Sequence, residues 1–193
     1  MKEKTKSGMP EQAGFSPPME LPKKPAKSIN GFVIEDASKS PRWEFQRTLH
    51  EGRSEKIADE TLDMYMTTCG CLVVFERGRP GGVTHMLTSN LGRNNFKEVE
   101  PLFKPGNHIL IIHSTDGIKQ QLTFIKTLAR HLEGLGIPTG SVLIHKSQYY
   151  DGLLDMEFKT GVSVTVSAER VRIDYVDRRR SDKIVGSEVV SRR

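Results

Sequence analysis

Apolar residues along this chain come mostly in short runs of four to six, separated by polar or Gly/Pro-rich stretches, the spacing of strands rather than long helices. Ile29 to Glu35 carries Phe32-Val33-Ile34 and predicts a strand. Leu72-Val73-Val74-Phe75 and Val83 to Leu87 predict a strand pair joined by a tight Gly/Pro connection. His108-Ile109-Leu110-Ile111-Ile112-His113 predicts a buried strand with polar ends. Ile118, Leu122, Ile125, Ala129, Leu132 and Leu135 then follow at helical spacing, and Gly134, Gly136 and Pro138 can end that helix. Ser114 to Gly117 offers caps at its start. Ser141 to His145 is the next strand, so 108–145 has the order of a βαβ unit with parallel strands and a right-handed crossover. Leu153–Phe158, Val162–Val166 and Val171–Tyr175 predict an antiparallel meander, turning at Lys159-Thr160-Gly161 and at Ala168-Glu169.

Between the first strand and the cysteine region the pattern is weaker. Trp43, the single tryptophan, is expected to anchor against the core. Glu55 to Leu62, with Ser54 as a cap, reads as a short helix. Together the elements predict an α+β domain over residues 29–177, with a mixed sheet in one layer or two and a main helix packed on it.

Composition adjusts the ends of this picture. Residues 1–28 hold five of the ten prolines plus several lysines, so they read as a disordered leader, plain or acting as an address. Residues 178–193, opening on Arg178-Arg179-Arg180, read as a basic C-terminal tail. The net charge of +5 is unevenly placed: residues 1–30 carry +3, 170–193 carry +4, and 31–169 carry −2. A slightly acidic middle excludes a nucleic-acid-reading core, while basic ends suit acidic partners or membrane surfaces. No apolar run is long enough to span a bilayer, and no apolar stretch follows the basic N-terminus as in a signal peptide. No P-loop or dinucleotide-binding glycine pattern is present.

The candidate chemistry concentrates in one stretch. Cys69 and Cys71 are the only cysteines, and the returning strand carries His85. The pair is poorly spaced for a disulfide, so a reducing compartment is the simpler setting. Gly70 permits an unusual backbone ahead of Cys71, Thr67 and Thr68 bring hydroxyls, and Gly81-Gly82 allows close backbone approach before the histidine. Read as chemistry, Cys71 is the nucleophile, with Cys69 as the alternative, and His85 is the general base and acid. Backbone N–H groups at Gly70-Cys71 face the developing oxyanion. A histidine in reach of the thiol is expected to raise the thiolate fraction, giving one cysteine that reacts below the usual thiol range. Read as structure, the same residues are small core thiols and a satisfied strand histidine. A zinc site from Cys69, Cys71, His85 and His50 has narrower cysteine spacing than zinc sites use, so neither metal nor cofactor is expected. His145 could approach His113, and Tyr149 to Gly152 reads as a turn.

Gly81-Gly82-Val83-Thr84-His85-Met86-Leu87 resembles the glycine-pair, histidine, Met-Leu segment of the CheD chemoreceptor glutamine deamidases, and Cys69-Gly70-Cys71-Leu72-Val73-Val74 resembles their Gly-Ser-Cys segment. The same order of Gly-Cys, strand, turn, strand and histidine occurs in deamidase toxins of the cytotoxic necrotizing factor type. The specific likeness covers residues 67–87, and the remainder agrees in element order. It implies a CheD-like fold and a protein-glutamine deamidase that forms a thioester and converts Gln to Glu on a protein partner, without cofactor. Cys71 falls on the catalytic cysteine, 14 residues before His85, against 16 from Cys69. The family's histidine-orienting threonine has no counterpart six positions ahead of Cys71, where Tyr65 stands; Thr67, or a backbone carbonyl as in the toxins, takes that role. The settings implied are chemotaxis in a bacterial cytoplasm, or secretion into a host cytosol as an effector. A non-catalytic binding module of the same fold is the competing reading.

Overall fold

The structure, a computed structural model, describes residues 26–67, 69–87, 93–113, 118–145, 160–177 and 181–192. The chain starts with a hairpin, β1 (Lys27–Ile29) and β2 (Phe32–Asp36), turned by Asn30 and Gly31, both at positive φ. Short strands β3 (Arg47–Thr48) and β4 (Ser54–Lys56) precede β5 (Leu62–Met66), β6 (Gly70–Glu76) and β7 (Arg79–Met86). Next come β8 (His108–His113), α1 (Ile118–Gly134), β9 (Val142–His145), β10 (Thr160–Val166), β11 (Val171–Asp177) and β12 (Lys183–Arg192).

These strands make two sheets. One runs β1-β2-β12-β11-β10-β5-β3 and the other β4-β7-β6-β8-β9. Strand alternation sets what fills the space between them. Leu62, Met64 and Met66 of β5, Val162, Val164 and Val166 of β10, and Ile173 of β11 form one wall. Cys71, Val73, Phe75, Val83, Leu110 and Ile112 form the other. The opposite face of the five-stranded sheet presents Leu72, Val74, Met86, Ile109 and Ile111 to α1 and to Val99, Leu102 and Phe103. The described residues are therefore α+β, with two mixed sheets and, among them, one α-helix packed outside the smaller.

Several expectations are realised closely. β8 and β9 pair in parallel with α1 between them. The helix closes as foreseen: Gly136 takes positive φ, its N–H donates to Glu133 O, and the Ile137 N–H reaches Leu132 O, which places Ile137 beside Leu132 in the core. The buried stripe is rotated from the expected one. Phe124 and Leu128 join Ile125 and Leu132 inside, Ala129 is half-buried, and Leu135 is exposed.

Other expectations are corrected. Residues 55–62 are not a helix, because Ser54, Glu55 and Lys56 pair with Thr84, Val83 and Gly82 on β7 and the segment beyond is irregular. Trp43 is half-buried outside the core, with the Arg170 guanidinium 5.2 Å above its ring. Thr160 and Gly161 belong to β10 rather than to a turn. The domain does not end at 177. β12 sits between β11 and β2 with Val189 and Val190 buried, so most of the expected tail is an interior strand. Its backbone pairs with β11 on one side and with β2 on the other. Lys27 and Ser28, expected at the end of the leader, pair in β1; residues 1–25 of the leader, the strand at 153–158, the caps at 114–117 and the turn at 149–152 lie outside the described residues.

Gly82 is needed for packing on the helix side. A Cβ there would stand 2.7 Å from Val99 Cγ1 and 2.8 Å from Leu102 Cδ1. Gly82→Ala is accordingly expected to destabilise the protein by about 1–3 kcal/mol, as overpacking does, read as a lower urea midpoint at unchanged slope. A midpoint equal to the parent's would show that the 96–103 segment is not seated against β7.

Candidate functional site

β6 and β7 are joined by Arg77 and Gly78, both at positive φ, the backbone of a two-residue hairpin turn. Counting back from that turn, Glu76 faces Arg79 and Phe75 faces Pro80. The register then shifts, so that Val74 faces Gly82 and Cys71 faces His85. Gly81 is the extra residue of a β-bulge. The bulge decides the site: without it, His85 would oppose Gly70 and point to the helix side. With it, His85 shares the inter-sheet face with Cys69, Cys71 and Val83.

On that face the structure brings His85 to Cys69, not to Cys71. Cys69 Sγ lies 3.0 Å from His85 Nε2. Cys71 lies one strand pitch deeper, fully buried among core side chains, and burial pushes its thiol strongly upward. The thiol set beside His85 is thus Cys69, the alternative, rather than Cys71, for a topological reason. β5 belongs to one sheet and β6 to the other, and Cys69 stands on the connection between them, at the rim of the sandwich. Gly70 is already inside the ladder, between Met86 and His113, with no positive φ. It does not form the strained elbow expected of it.

The other ring nitrogen is held by the main chain. His85 Nδ1 lies 2.9 Å from Leu49 O, so Nδ1 carries the proton and Nε2 turns its lone pair to the thiol. Thr67 is half-buried beyond the end of β5, and both ring nitrogens already have partners, so its hydroxyl does not orient His85. The Thr67 backbone instead contributes to Cys69, where the N–H groups of Thr67 and of Cys69 itself favour the thiolate. Thr68 lies outside the described residues.

Leu49 is fixed from both sheets. Its N–H donates to Asp63 O beside β3, while its carbonyl takes His85 of the other sheet. The next residues turn back sharply: Arg53 N–H donates to His50 O, and Gly52 takes a left-handed φ of 75°. That turn clamps His85 by its backbone, through Gly52 N–H to His85 O at 2.7 Å and His85 N–H to Arg53 O at 3.0 Å. It also carries exposed Glu51 over the buried pair. Glu51, Cys69 and His85 present ligand-type atoms all within 4.8 Å of one another. Sequence reasoning missed Glu51 and Leu49. A carbonyl has no sequence signature, and Glu51-Gly52 looks like any polar turn.

The electrostatics of the pair are set first by burial. Desolvation, then the Glu51 hydrogen bond and charge, push the Cys69 thiol up to about 12, with the backbone N–H groups pulling the other way. Desolvation also lowers His85, against the Leu49 hydrogen bond and the Glu51 charge. The resting pair is therefore a neutral thiol and a neutral imidazole. This corrects the expectation of a thiol titrating below its usual range.

Two further polar clusters are buried. His145 Nε2 meets Tyr175 Oη at 2.8 Å and Glu188 Oε2 at 2.9 Å, bridging the two sheets, and faces away from His113. Arg172 and Asp174 lie with Asp63, Ser163, Thr165 and Ser187 on the outer face of the larger sheet, under residues 37–42. Arg172 is thus an interior cation. Among the described residues no helix is long and apolar enough to cross a membrane.

Comparison with family models, with curated proteins and with solved structures returns no match for this chain.

Proposed function

We propose that the protein is a cysteine-dependent protein-glutamine deamidase with a CheD-like fold, Cys69 as nucleophile and His85 as general base and acid. The observation that carries this reading is the 3.0 Å contact from Cys69 Sγ to His85 Nε2, with His85 Nδ1 fixed on Leu49 O. The likeness of residues 67–87 to the deamidases supports the choice of substrate. A thiol, an imidazole with its lone pair aimed at it, and a main-chain group fixing the tautomer are the parts that thiol acyl chemistry needs. His85 takes the Cys69 proton as sulfur attacks the glutamine side-chain carbonyl carbon. The C–N bond then breaks, and the nitrogen leaves as ammonia with the proton from His85. Water, deprotonated by the same imidazole, hydrolyses the thioester to glutamate and restores the thiol. The Cys69 N–H lies beside the sulfur and stabilises the charge that develops there. The partner is a protein with an accessible glutamine, either a chemoreceptor in a bacterial cytoplasm or a host protein met by a secreted effector.

A resting neutral pair fixes the pH response. His85 must be neutral to act as base, and burial lowers its pKa, so the acid limb of kcat/KM is expected below the ordinary imidazole range of about 6.5. No alkaline limb from Cys69 should appear short of about 12. An acid limb above the ordinary imidazole value would contradict this assignment. The reading itself is tested by mass spectrometry of partner proteins incubated with the enzyme. Conversion of Gln to Glu that His85→Ala abolishes supports it.

The burial of the pair, with Cys69 2% and His85 4% exposed, favours a second reading: a binding module of the same fold in which these groups are structural. That module would leave every partner glutamine intact.

A further inference from the structure

We propose that Glu51, Cys69 and His85 form a binding site for a zinc-class divalent cation, with three protein ligands and one open position. One sulfur, one imidazole nitrogen and one carboxylate oxygen converge within 4.8 Å from three places, the 50–53 turn, the β5–β6 connection and β7. The donor set selects the metal. Calcium and magnesium take oxygen ligands, whereas a thiolate with an imidazole suits zinc or cobalt.

The histidine is already in its metal-binding form. Nδ1–H donates to Leu49 O and leaves the Nε2 lone pair facing the cluster, the outer-partner arrangement that orients a metal-ligating histidine. Tetrahedral zinc, with bonds of about 2.0–2.3 Å, separates its ligand atoms by about 3.6 Å. Cys69 Sγ and His85 Nε2, now 3.0 Å apart, need to open by about 0.6 Å. Glu51 is exposed and on a turn, so its carboxylate has the freedom to close in. Binding exchanges the thiol proton for metal: the S–H bond breaks, a sulfur–metal bond forms, and one proton goes to solvent. No oxidant or reductant is involved. Cys71, buried below, does not take part.

A metal held there occupies both groups that the proposed hydrolysis uses, so it silences the thiol chemistry. That consequence rests on the deamidase reading; the binding itself does not.

The test is titration of the full chain with Co2+ under anaerobic conditions, followed by Zn2+ competition. The expected result is a thiolate-to-cobalt charge-transfer band with tetrahedral d–d bands at one equivalent, all displaced by zinc. Cys71→Ala should keep the band, Cys69→Ser should lose it, and Glu51→Gln should weaken binding by at least about tenfold, as loss of even an outer partner of a ligand does. Circular dichroism establishes that each variant is folded. Absence of the band in the parent, its persistence in Cys69→Ser, or unchanged affinity in Glu51→Gln overturns the site. Cobalt binding as described, in a protein that hydrolyses no glutamine without metal, leaves the site standing and removes the deamidase reading. Hydrolysis without cobalt binding does the reverse.

Discussion

Cys69→Ser is expected to abolish glutamine hydrolysis and alkylation at this site, while Cys71→Ala leaves both within a few-fold of the parent. The two thiols lie two residues apart on one strand face, yet their surroundings differ. Cys69 has an imidazole nitrogen at 3.0 Å, two backbone N–H groups beside its sulfur, and Glu51 leading out to solvent. Cys71 is walled by core side chains and has no base. Removing a nucleophile that acts as a unit with its base costs on the order of 10⁴-fold or more in kcat. Removing a buried sulfur that only packs costs roughly 1 kcal/mol of stability and no chemistry. The measurement is single-turnover Gln-to-Glu conversion with mass-mapped iodoacetamide labelling, on variants shown to be folded. An inactive, well-folded Cys71→Ala protein beside an active Cys69→Ser protein would reverse the assignment. Labelling of Cys69 should rise with pH well into the alkaline range, because the free thiol is pushed up to about 12. Only bound substrate, attacked as His85 takes the proton, avoids that requirement.

Why the sequence pointed to the neighbouring cysteine is a matter of register. Glycine before a cysteine is a reasonable cue for a strained nucleophile turn, and Gly70-Cys71 satisfies it. Strand parity shows that Cys69 and Cys71 face alike, but not which of them lies at the rim. That depends on the crossing between sheets at residues 67–69, a tertiary feature. The facing of His85 depends in turn on the Gly81 bulge, which no periodicity over so short a strand reveals. What sequence did show well was local and strongly patterned: the apolar run of β8, the helix with its left-handed Gly136, and the parallel partner β9. It failed where non-local pairing overrode propensity. Ser54–Lys56 is drawn into a ladder with β7, and β12 is an interior strand despite flanking charge. Leu49 was invisible because it acts through a carbonyl, placed by a hydrogen bond from its N–H to Asp63 O.

That dependence on main-chain placement makes the polar layer outside the larger sheet matter to the site. Arg172→Met is expected to destabilise the protein by about 3–5 kcal/mol, the cost of leaving a buried charge without its partner. Arg172 Nε donates to Asp174 Oδ1 at 2.8 Å, and both side chains are essentially excluded from solvent. Its guanidinium also donates to Pro41 O and Ser40 O, at 2.9 and 3.2 Å, and so fastens the segment that crosses the sheet. Asp174 Oδ2 has no hydrogen bond, and Arg42, the next cation, is 4.0 Å away and half exposed. Methionine fills the volume but leaves the buried carboxylate only the Ser187 hydroxyl and the more distant Arg42, and frees both carbonyls. Arg172→Met/Asp174→Leu, which removes the charge as well, should recover much of the loss, because an apolar pair of similar volume has no ion to desolvate. Urea unfolding at neutral pH reads both effects as shifts in midpoint. A single variant within about 1 kcal/mol of the parent, or a double variant no better than the single, would show that the pair carries no such charge dependence. The fastened segment leads through Arg47–Thr48 directly to Leu49. A folded Arg172→Met protein should therefore also lose kcat more than KM, since a loosened segment misplaces the carbonyl that holds His85 rather than any group that binds substrate.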